Sequence, residues 1–451
     1  MSLSSYLEEK IGIQGSYPEI LEIRVMIIYW FRRDLRLEDN TALSHALNTS
    51  KKVLPIFIFD DDILNKLPKN DPRVNFIYNQ LKKLNNKLSV HHSGIHIFKG
   101  NVKQTWEAIL EQHPVTEVYF NHDYEPYARK RDKVVFELLQ NKGIEINHFK
   151  DQVIFEKKEV VKKDGLPYTV FTPFKNKWLE RYKNEGLKTN PETNFKNLQN
   201  VQQRFPERQK LGIEPSEIEV KDWDTSNIET YEETRNFPSL SSTSYLGPHL
   251  RFGTVSIRQL VKAAEKRSDT FLSELIWREF FMQILWNFPT SSETNFKPQY
   301  NQIEWRNNEQ EFKKWCEGKT GYPIVDAGMR ELNQTGYMHN RVRMITASFL
   351  VKHLLIDWRW GEAYFAEKLL DYEQSSNVGN WQWAAGTGCD SSPYFRVFNP
   401  YEQVKKFDKK HQYIKKWVPE YQELTYPQPM VEHKMARERA IKTYKEGLNK
   451  M

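Results

Sequence analysis

The sequence is poor in cysteine. Only Cys316 and Cys389 occur among 451 residues, and neither stands in a Cys-x-x-Cys or zinc-type His/Cys spacing. A disulfide framework is therefore excluded, no structural metal is expected, and a reducing cytoplasm is the simplest compartment. The chain also lacks any uncharged apolar run near the roughly 18 residues of a membrane helix. Its first 25 residues lack the basic start and apolar run of a signal peptide, so no membrane partner is expected.

A glycine-rich dinucleotide loop is also missing. The first strand-like run, MIIYWF at 26–31, is followed by RRDLR rather than by G-x-G-x-x-G, so an ordinary dinucleotide site is not expected at this turn. Further apolar runs, separated by polar stretches that carry Leu at helical spacing, lie at 53–59, 95–98, 117–121 and 144–149. This alternation predicts a doubly wound parallel sheet in an α/β domain over residues 26–155.

The rest of the chain has a different pattern. Residues 156–230 lose periodicity and are rich in Lys, Asn, Pro and Glu, which predicts a long linker. Residues 231–451 carry apolar residues at helical spacing with almost no strand signal, which predicts an all-helical domain. The clearest candidate helices lie at 256–266, 270–286, 323–334, 341–353 and 364–371. Residues 1–25 are interpreted as an N-terminal extension, with Met26 as a hypothetical native start.

The positive charge is concentrated near the C-terminus. The net charge is +7, and from Phe395 onward 13 Lys and Arg face 7 Asp and Glu. Basic and aromatic residues interleave there, including Arg396, Lys406 and Trp417, a combination that suits contact with a phosphate backbone and stacking on bases. A solvated helical tail has the same composition, so charge alone does not decide between the two.

Two candidate helices carry polar side chains on one face. Glu274, Trp277 and Arg278 follow the i, i+3, i+4 spacing and offer an acceptor, a stacking surface and a cation. Such a set can hold a base, although a surface Glu–Arg pair beside a core Trp is the more frequent explanation in isolation. Asn340 and Met344 likewise share a face, and a capped helix start with solvated arginines is the ordinary alternative.

A third stretch combines polar, aromatic and small residues. It begins DYEQSSNVGNWQW at 371–383 and continues AAGTGCD at 384–390. Small residues permit a planar ligand to approach the backbone closely. The pair Gly386 and Gly388 alone is too weak a signal for phosphate binding.

Five stretches together resemble the photolyase/cryptochrome family. They are WFRRDLRLEDN (30–40), TSYLGPHLRFGTVS (243–256), ELIWREFF (274–281), GKTGYPIVDAGMRELNQTGYMHNRVRM (318–344) and NWQWAAGTGCDSSPYFRVFNP (380–400). The resemblance is closest to class I cyclobutane pyrimidine dimer photolyases. It implies an α/β antenna domain, a linker, and a helical domain that binds FAD, active as FADH⁻, and contacts DNA. The implied reaction is light-driven electron transfer to a pyrimidine dimer, its splitting into two pyrimidines, and return of the electron.

The resemblance also implies site residues. Those expected around FAD are Tyr231, Thr243, Ser244, Tyr245, Leu246, Gly247, Phe271, Glu274, Arg278, Asn340, Arg343, Asp371, Glu373 and Asn377. Of these, Glu274, Asn340 and Asn377 are the expected catalytic residues. Expected contacts with the lesion and the DNA backbone are Arg235, Trp277, Arg341, Met344, Trp383, Arg396, Gln403 and Lys406. The expected photoreduction chain runs from Trp381 through Trp358 to Trp305.

Some positions bear on the subfamily. A cryptochrome-type photoreceptor without repair activity is the alternative hypothesis, although plant-type cryptochromes usually carry Asp where this chain has Asn377. Ala128 stands where folate-binding members commonly have Glu, which leaves the antenna open among a deazaflavin, a flavin, folate or none. Gly247 stands where Ser is common near the FAD phosphates. The resemblance further implies a monomer of prokaryotic cytoplasmic type that acts on UV-damaged DNA at the nucleoid.

Overall fold

The computed structural model describes residues 26–201, 204–240 and 242–450. The predicted extension at 1–25 and the hypothetical start at Met26 concern a segment outside the described residues.

A parallel five-stranded sheet opens the described chain. Its strands are β1 (Met26–Phe31), β2 (Lys52–Asp60), β3 (His96–Gly100), β4 (Val115–Asn121) and β5 (Glu145–Phe149). Every pairing is parallel, and the strand order is β3-β2-β1-β4-β5. The direction of travel across the sheet reverses after β3, which is the doubly wound topology predicted from the alternating pattern.

Helices cover both faces of this sheet. They are α1 (Thr41–Leu47), α2 (Asp61–Leu64), α3 (Pro72–Ser89), α4 (Val102–Gln112) and α5 (Pro126–Asn141). Alternate residues of β1 enter two separate cores: Tyr29 and Phe31 pack into one, while Ile28 and Trp30 pack into the other. Burial on both faces explains why the strands are nearly continuous apolar runs.

The linker contains a helix that the sequence pattern did not reveal. Helix α6 (Phe171–Glu185) buries Phe174 and Trp178 against Phe280 and its neighbours. The buried Glu279 receives a hydrogen bond from the indole N–H of Trp178 at 2.6 Å and others from the backbone N–H groups of Ile154 and Phe155. The linker is therefore attached to the helical domain through one buried carboxyl group as well as through apolar contacts.

The remainder of the chain is helical, as predicted. Its α-helices are α7 (Tyr231–Thr234), α8 (Leu246–Phe252), α9 (Ile257–Arg267), α10 (Asp269–Asn287), α11 (Glu309–Cys316), α12 (Pro323–Thr335), α13 (Asn340–Ser348), α14 (Trp358–Lys368), α15 (Gln374–Ala385), α16 (Pro400–Phe407), α17 (Gln412–Trp417) and α18 (His433–Leu448). A π-helical turn, Phe349–His353, extends α13. In the described part of the chain, no helix is long and apolar enough to cross a membrane.

Candidate functional site

A cavity of about 500 Å³ opens in the helical domain. Side chains from α7, α8, α10, α12, α13, α15 and α17 line it, together with the loop before α15. Its volume lies in the range of sites for small molecules and cofactors. The sequence segments singled out above therefore meet around one space, although they are spread over more than 140 residues of chain.

An ion pair forms one wall of the cavity. The Arg343 guanidinium lies 2.8 Å from the Asp371 carboxylate, and its Nε donates to the carbonyl of Met338 at 2.7 Å. Gly247 lies against this pair: a Cβ at position 247 would fall 2.7 Å from the Cβ of Asp371. Serine at position 247 would therefore push the Asp371 loop outward, which gives a packing reason for glycine here.

Helix α15 presents Asn377 to the same cavity. The Asn377 Nδ2 donates to the Glu362 carboxyl at 2.9 Å and to its backbone carbonyl at 3.1 Å. The Oδ1 of Asn377 accepts no hydrogen bond from the described residues and is free for a ligand. Glu373 caps the helix by accepting a hydrogen bond from the Ser376 backbone N–H at 2.9 Å. Burial alone would raise the pKa of Glu373, but the Arg33 guanidinium and the hydrogen bonds lower it.

The opposite wall carries Glu274 and Arg278 from α10. The Glu274 carboxylate forms an ion pair of 2.8 Å with Arg235. Burial, followed by the nearby Glu274 charge, raises the pKa of Tyr231 to about 12. Burial lowers the pKa of Arg278 to about 10, and this side chain donates to the carbonyl of Gln152 at 2.6 Å. Glu274 is thus a partly exposed acid of this wall, whereas Arg278 connects the wall to the segment that follows β5.

Asn340, Met344 and Trp383 complete the open side of the cavity. Asn340 is the first residue of α13, and His339 caps that helix by accepting from the backbone N–H of Arg341 at 3.2 Å. Burial, together with the Arg343 and Arg341 charges, lowers the pKa of His339 to about 4. The imidazole is therefore neutral at physiological pH and remains an acceptor for the cap.

The cavity gathers most of the residues predicted from the sequence. Those that line it are Tyr231, Arg235, Thr243, Ser244, Tyr245, Leu246, Gly247, Phe271, Glu274, Arg278, Asn340, Arg343, Met344, Asp371, Glu373, Asn377, Trp381 and Trp383. Those that lie outside its lining are Trp277, Trp305, Trp358, Arg341, Arg396, Gln403 and Lys406. Every residue expected around the cofactor lines the cavity. Most of the residues expected to contact DNA lie outside the lining.

Trp277 differs from the other expected lesion contacts. Its ring stacks on Phe171 of the linker helix, with centroids 3.6 Å apart and planes within 8°. A second stacked contact, to Phe281, has centroids 5.4 Å apart. Trp277 is therefore a partly buried residue that packs against the core and lies outside the cavity lining, and its role beside a lesion stays a prediction.

Several lining residues had not been predicted as site residues. Tyr337, Lys416 and Trp417 face the cavity. Lys416 and Trp417 lie in the basic and aromatic C-terminal stretch, so the composition of the sequence already indicated a contact surface there. Tyr337 precedes the Met338–His339–Asn340 segment by one residue, and only its position in the fold shows that it lines the cavity.

Comparison with known proteins agrees with this geometry. The family model "FAD binding domain of DNA photolyase" matches residues 271–425, and the "DNA photolyase" model matches residues 27–194. The chain belongs to the DNA photolyase family. Proteins named deoxyribodipyrimidine photo-lyase are 36% identical to it in Vibrio cholerae (93% of this chain, 99% of that one) and in Escherichia coli (92% and 98%).

Solved structures of photolyases share the fold. A class III photolyase from Agrobacterium tumefaciens superimposes with a TM-score of 0.83 at 32% identity, covering 97% of this chain and 100% of that one. An archaeal photolyase from Sulfolobus tokodaii, solved with two FAD molecules, gives 0.82 at 33% identity, covering 93% and 100%. These likenesses, together with the matching family model, confirm the predicted fold class and the FAD-binding domain of this chain.

The residues present fit a flavin. Arg343 and Asp371 offer a donor and an acceptor at the edge of the cavity, and the free Asn377 Oδ1 offers a second acceptor. Such convergent polar groups in one cavity are typical of a cofactor site. The FAD-binding domain of the family therefore has a suitable cavity in this chain.

The three tryptophans of the expected photoreduction chain differ in their burial and in whether they line the cavity. Trp381 lines it, and its ring packs edge-on against Phe365 with centroids 4.9 Å apart. Trp358 is fully buried and donates its indole N–H to Asn295 at 2.8 Å. Trp305 is only partly buried and packs against Tyr444 at 5.8 Å. This order, from cavity to surface, is compatible with the predicted route, which stays a prediction.

The sheet domain contacts the cavity region through charged side chains. The Arg33 guanidinium, just after β1, lies 3.0 Å from Asp123 and 3.3 Å from Glu125. Glu125 also pairs with Arg251 at 3.1 Å and accepts from the backbone N–H of Gln374, the first residue of α15. The helix that carries Asn377 is therefore connected to the sheet domain.

The possible antenna site of the sheet domain lacks the carboxylate associated with folate. Ala128 is buried in α5, and the Tyr127 hydroxyl donates to Asp60 at the end of β2. The identity of an antenna chromophore therefore stays open among the alternatives given above.

Gly361→Ala is expected to destabilise the packing around Trp381. A Cβ at position 361 would lie 2.1 Å from the Trp381 ring and 2.6 Å from Leu350. Overpacking of this kind costs about 1–3 kcal/mol, which urea denaturation of the FAD-loaded protein would measure. Gly447→Ala is the milder comparison: the nearest atom there, a backbone oxygen of Gln302, is 3.1 Å away, so a smaller loss of stability is expected. Equal stabilities of both variants would contradict the packing argument.

Proposed function

We propose that this chain repairs cyclobutane pyrimidine dimers in DNA in a light-dependent reaction. The observation that carries the proposal is one continuous cavity. It has the flavin-compatible pair Arg343–Asp371 and Asn377 in its wall, and Glu274 and Trp383 at its open side. Reduced FAD, when bound, supplies the light-absorbing electron donor. The protein supplies positioning and electrostatics.

The open side offers the contacts that a pyrimidine pair needs. The Glu274 carboxylate can accept hydrogen bonds from pyrimidine N–H groups, and the Asn340 amide can both donate and accept. Trp383 and Met344 provide an apolar wall for the fused rings. A dimer must leave the duplex to reach this cavity, and extrusion costs less for a damaged, poorly stacked pair than for an intact one.

The surrounding surface suits a DNA backbone. Arg396 and Lys406 are exposed, and Gln403 lies on the same short helix as Lys406. Arg341 lies beside the cavity and stacks over Phe407 at 4.4 Å. We assign these four side chains, with Arg235, to phosphate contacts. We further propose that the protein acts as a monomer at the DNA of a prokaryotic cytoplasm.

Repair of a thymine dimer in duplex DNA tests the proposal. Purified FAD-loaded protein, reduced beforehand, would be incubated with the substrate in blue light and in the dark, and absorbance near the thymine maximum would be followed. Light-dependent recovery is expected in the wild type. Glu274→Ala should slow it by about 10-fold or more, because a hydrogen bond to a charged group contributes roughly 1.5–3 kcal/mol.

Glu233→Ala is the control for this substitution, because Glu233 is an exposed acid of α7. It should repair at the wild-type rate. Absence of repair by folded, FAD-loaded wild-type protein would contradict the proposal and favour a photoreceptor without repair activity.

A further inference from the structure

A group of arginines surrounds the open side of the cavity. Arg235 lines the cavity, and Arg341 lies close enough to both Arg235 and Arg396 to be affected by their charges. Burial lowers the pKa of Arg341, and the charges of Arg235 and Arg396 lower it further. Three like charges in one place are unfavourable unless anions accompany them, so this surface favours a ligand that carries phosphates.

Glu274 supplies one negative charge to this group. Its Oε1 lies 2.8 Å from Nη1 of Arg235, and the side chains are 33% and 25% exposed. The other acids of the cavity have partners away from the arginine group. Asp371 pairs with Arg343, Glu373 accepts from the Ser375 hydroxyl, and Glu331 accepts from the Tyr413 hydroxyl. Among the acids that line the cavity, Glu274 is therefore the one paired with a member of the arginine group, Arg235.

We propose that Glu274 is an internal competitor for the phosphate-binding guanidinium of Arg235. In the free protein the carboxylate occupies that guanidinium. When a DNA phosphate binds Arg235, the carboxylate is released into the cavity and needs a new partner. This inference rests on the proposed function, since it assigns phosphate contact to Arg235 and pyrimidine contact to Glu274.

The competition makes binding depend on what enters the cavity. Undamaged DNA that engages Arg235 leaves the Glu274 carboxylate without a partner, which weakens binding. An extruded pyrimidine pair brings N–H donors to that carboxylate, so the lost ion pair is compensated. One ion pair thus lowers affinity for undamaged DNA while leaving lesion binding intact, and discrimination depends on that difference.

The test measures binding to undamaged single-stranded oligonucleotide in the dark. Glu274→Gln should tighten binding by about 2- to 5-fold, the equivalent of one partly exposed ion pair. The dependence of log affinity on log salt should become steeper by about 0.7, because one more cation is free for phosphate. Arg235→Ala should weaken binding, and in that background Glu274→Gln should have no further effect.

A matched control separates competition from general electrostatics. Glu233→Gln removes the same charge two residues from Arg235, where the side chains do not face each other on a helix. If it tightens binding as much as Glu274→Gln, or if the Glu274→Gln gain persists without Arg235, the competition is contradicted.

These outcomes are independent of repair. FAD absorbance confirms that each variant is folded. Wild-type protein that fails to repair a dimer would contradict the proposed function, whereas an unchanged affinity of Glu274→Gln for undamaged DNA would contradict only the competition.

Discussion

Replacing Trp381 by Phe is expected to abolish light-driven reduction of bound oxidised FAD. Trp381 is the one tryptophan of the predicted chain that lines the cavity, and it is held by Phe365 and by the close approach of Gly361. Phenylalanine keeps much of the packing but lacks an indole that is readily oxidised. Repair by protein reduced chemically beforehand should survive, because reduction of the cofactor then no longer depends on the chain. Absorbance of the flavin during illumination gives the rate.

Trp315→Phe is the control for this experiment. Trp315 is fully buried and contacts Trp381 edge-on, with ring centroids 6.1 Å apart, but it lies outside the predicted route. Photoreduction should therefore continue in Trp315→Phe. Unimpaired photoreduction in Trp381→Phe would refute the predicted first step, and loss in Trp315→Phe would place the route through that residue instead.

Stability is expected to decrease as pH rises from about 4.5 to about 7, and Glu279 is the cause. Burial raises the pKa of the Glu279 carboxyl from 4.5 to about 7, despite the hydrogen bonds that it accepts from Trp178 and from the backbone N–H groups of Ile154 and Phe155. The folded protein binds the proton more tightly than the unfolded chain, so folding takes up a proton in this window. The contribution of Glu279 to the free energy of unfolding falls by about 3 kcal/mol across it.

Glu279→Gln should remove this contribution, because an amide does not titrate. The Glu279→Gln variant should also be less stable than the wild type at acidic pH. The side-chain NH2 group of Gln cannot accept the hydrogen bonds that a carboxyl oxygen accepts from Ile154, Phe155 or Trp178. Urea unfolding at several pH values would measure both effects. Glu265→Gln is the control: Glu265 is an exposed acid that accepts from Tyr182 of the same linker helix. A pH dependence that persists unchanged in Glu279→Gln would show that another group is responsible.

The sequence predicted the architecture because the signals are local. The strand at 26–31 and the helix expected at 270–286, observed at Asp269–Asn287, follow from uninterrupted apolar patterns. Helix α6 was not predicted although its buried residues, from Phe171 to Tyr182, recur at helical spacing, because the Lys and Asn residues between them gave the segment the composition of a linker. Its stability comes from packing against α10, which the pattern of α6 itself does not contain.

The candidate site was accessible through the resemblance rather than through spacing. Arg343 and Asp371 are 28 residues apart, and no periodic rule brings them to 2.8 Å. The contact of Phe171 with Trp277 and the approach of Gly361 to Trp381 depend on how separate segments pack. The Arg235–Glu274 pair was likewise beyond a sequence argument, because it joins the end of the short helix α7 to the long helix α10, 39 residues further along the chain.

The linker is buried against both domains: helix α6 packs against the helical domain, while Leu198, Leu211 and Ile213 pack into the core of the sheet domain. Between Gly186 and Pro191 the chain has no regular structure and is mostly exposed. A single peptide-bond cleavage there would turn these intramolecular contacts into an association between two polypeptides, held by the burial of α6 and of the later linker residues as well as by ion pairs such as Glu125–Arg251. Dissociation of the fragments would then depend on protein concentration. The equilibrium constant for domain contact in the intact chain, divided by the association constant of the two fragments, would give the effective concentration that the intact linker provides.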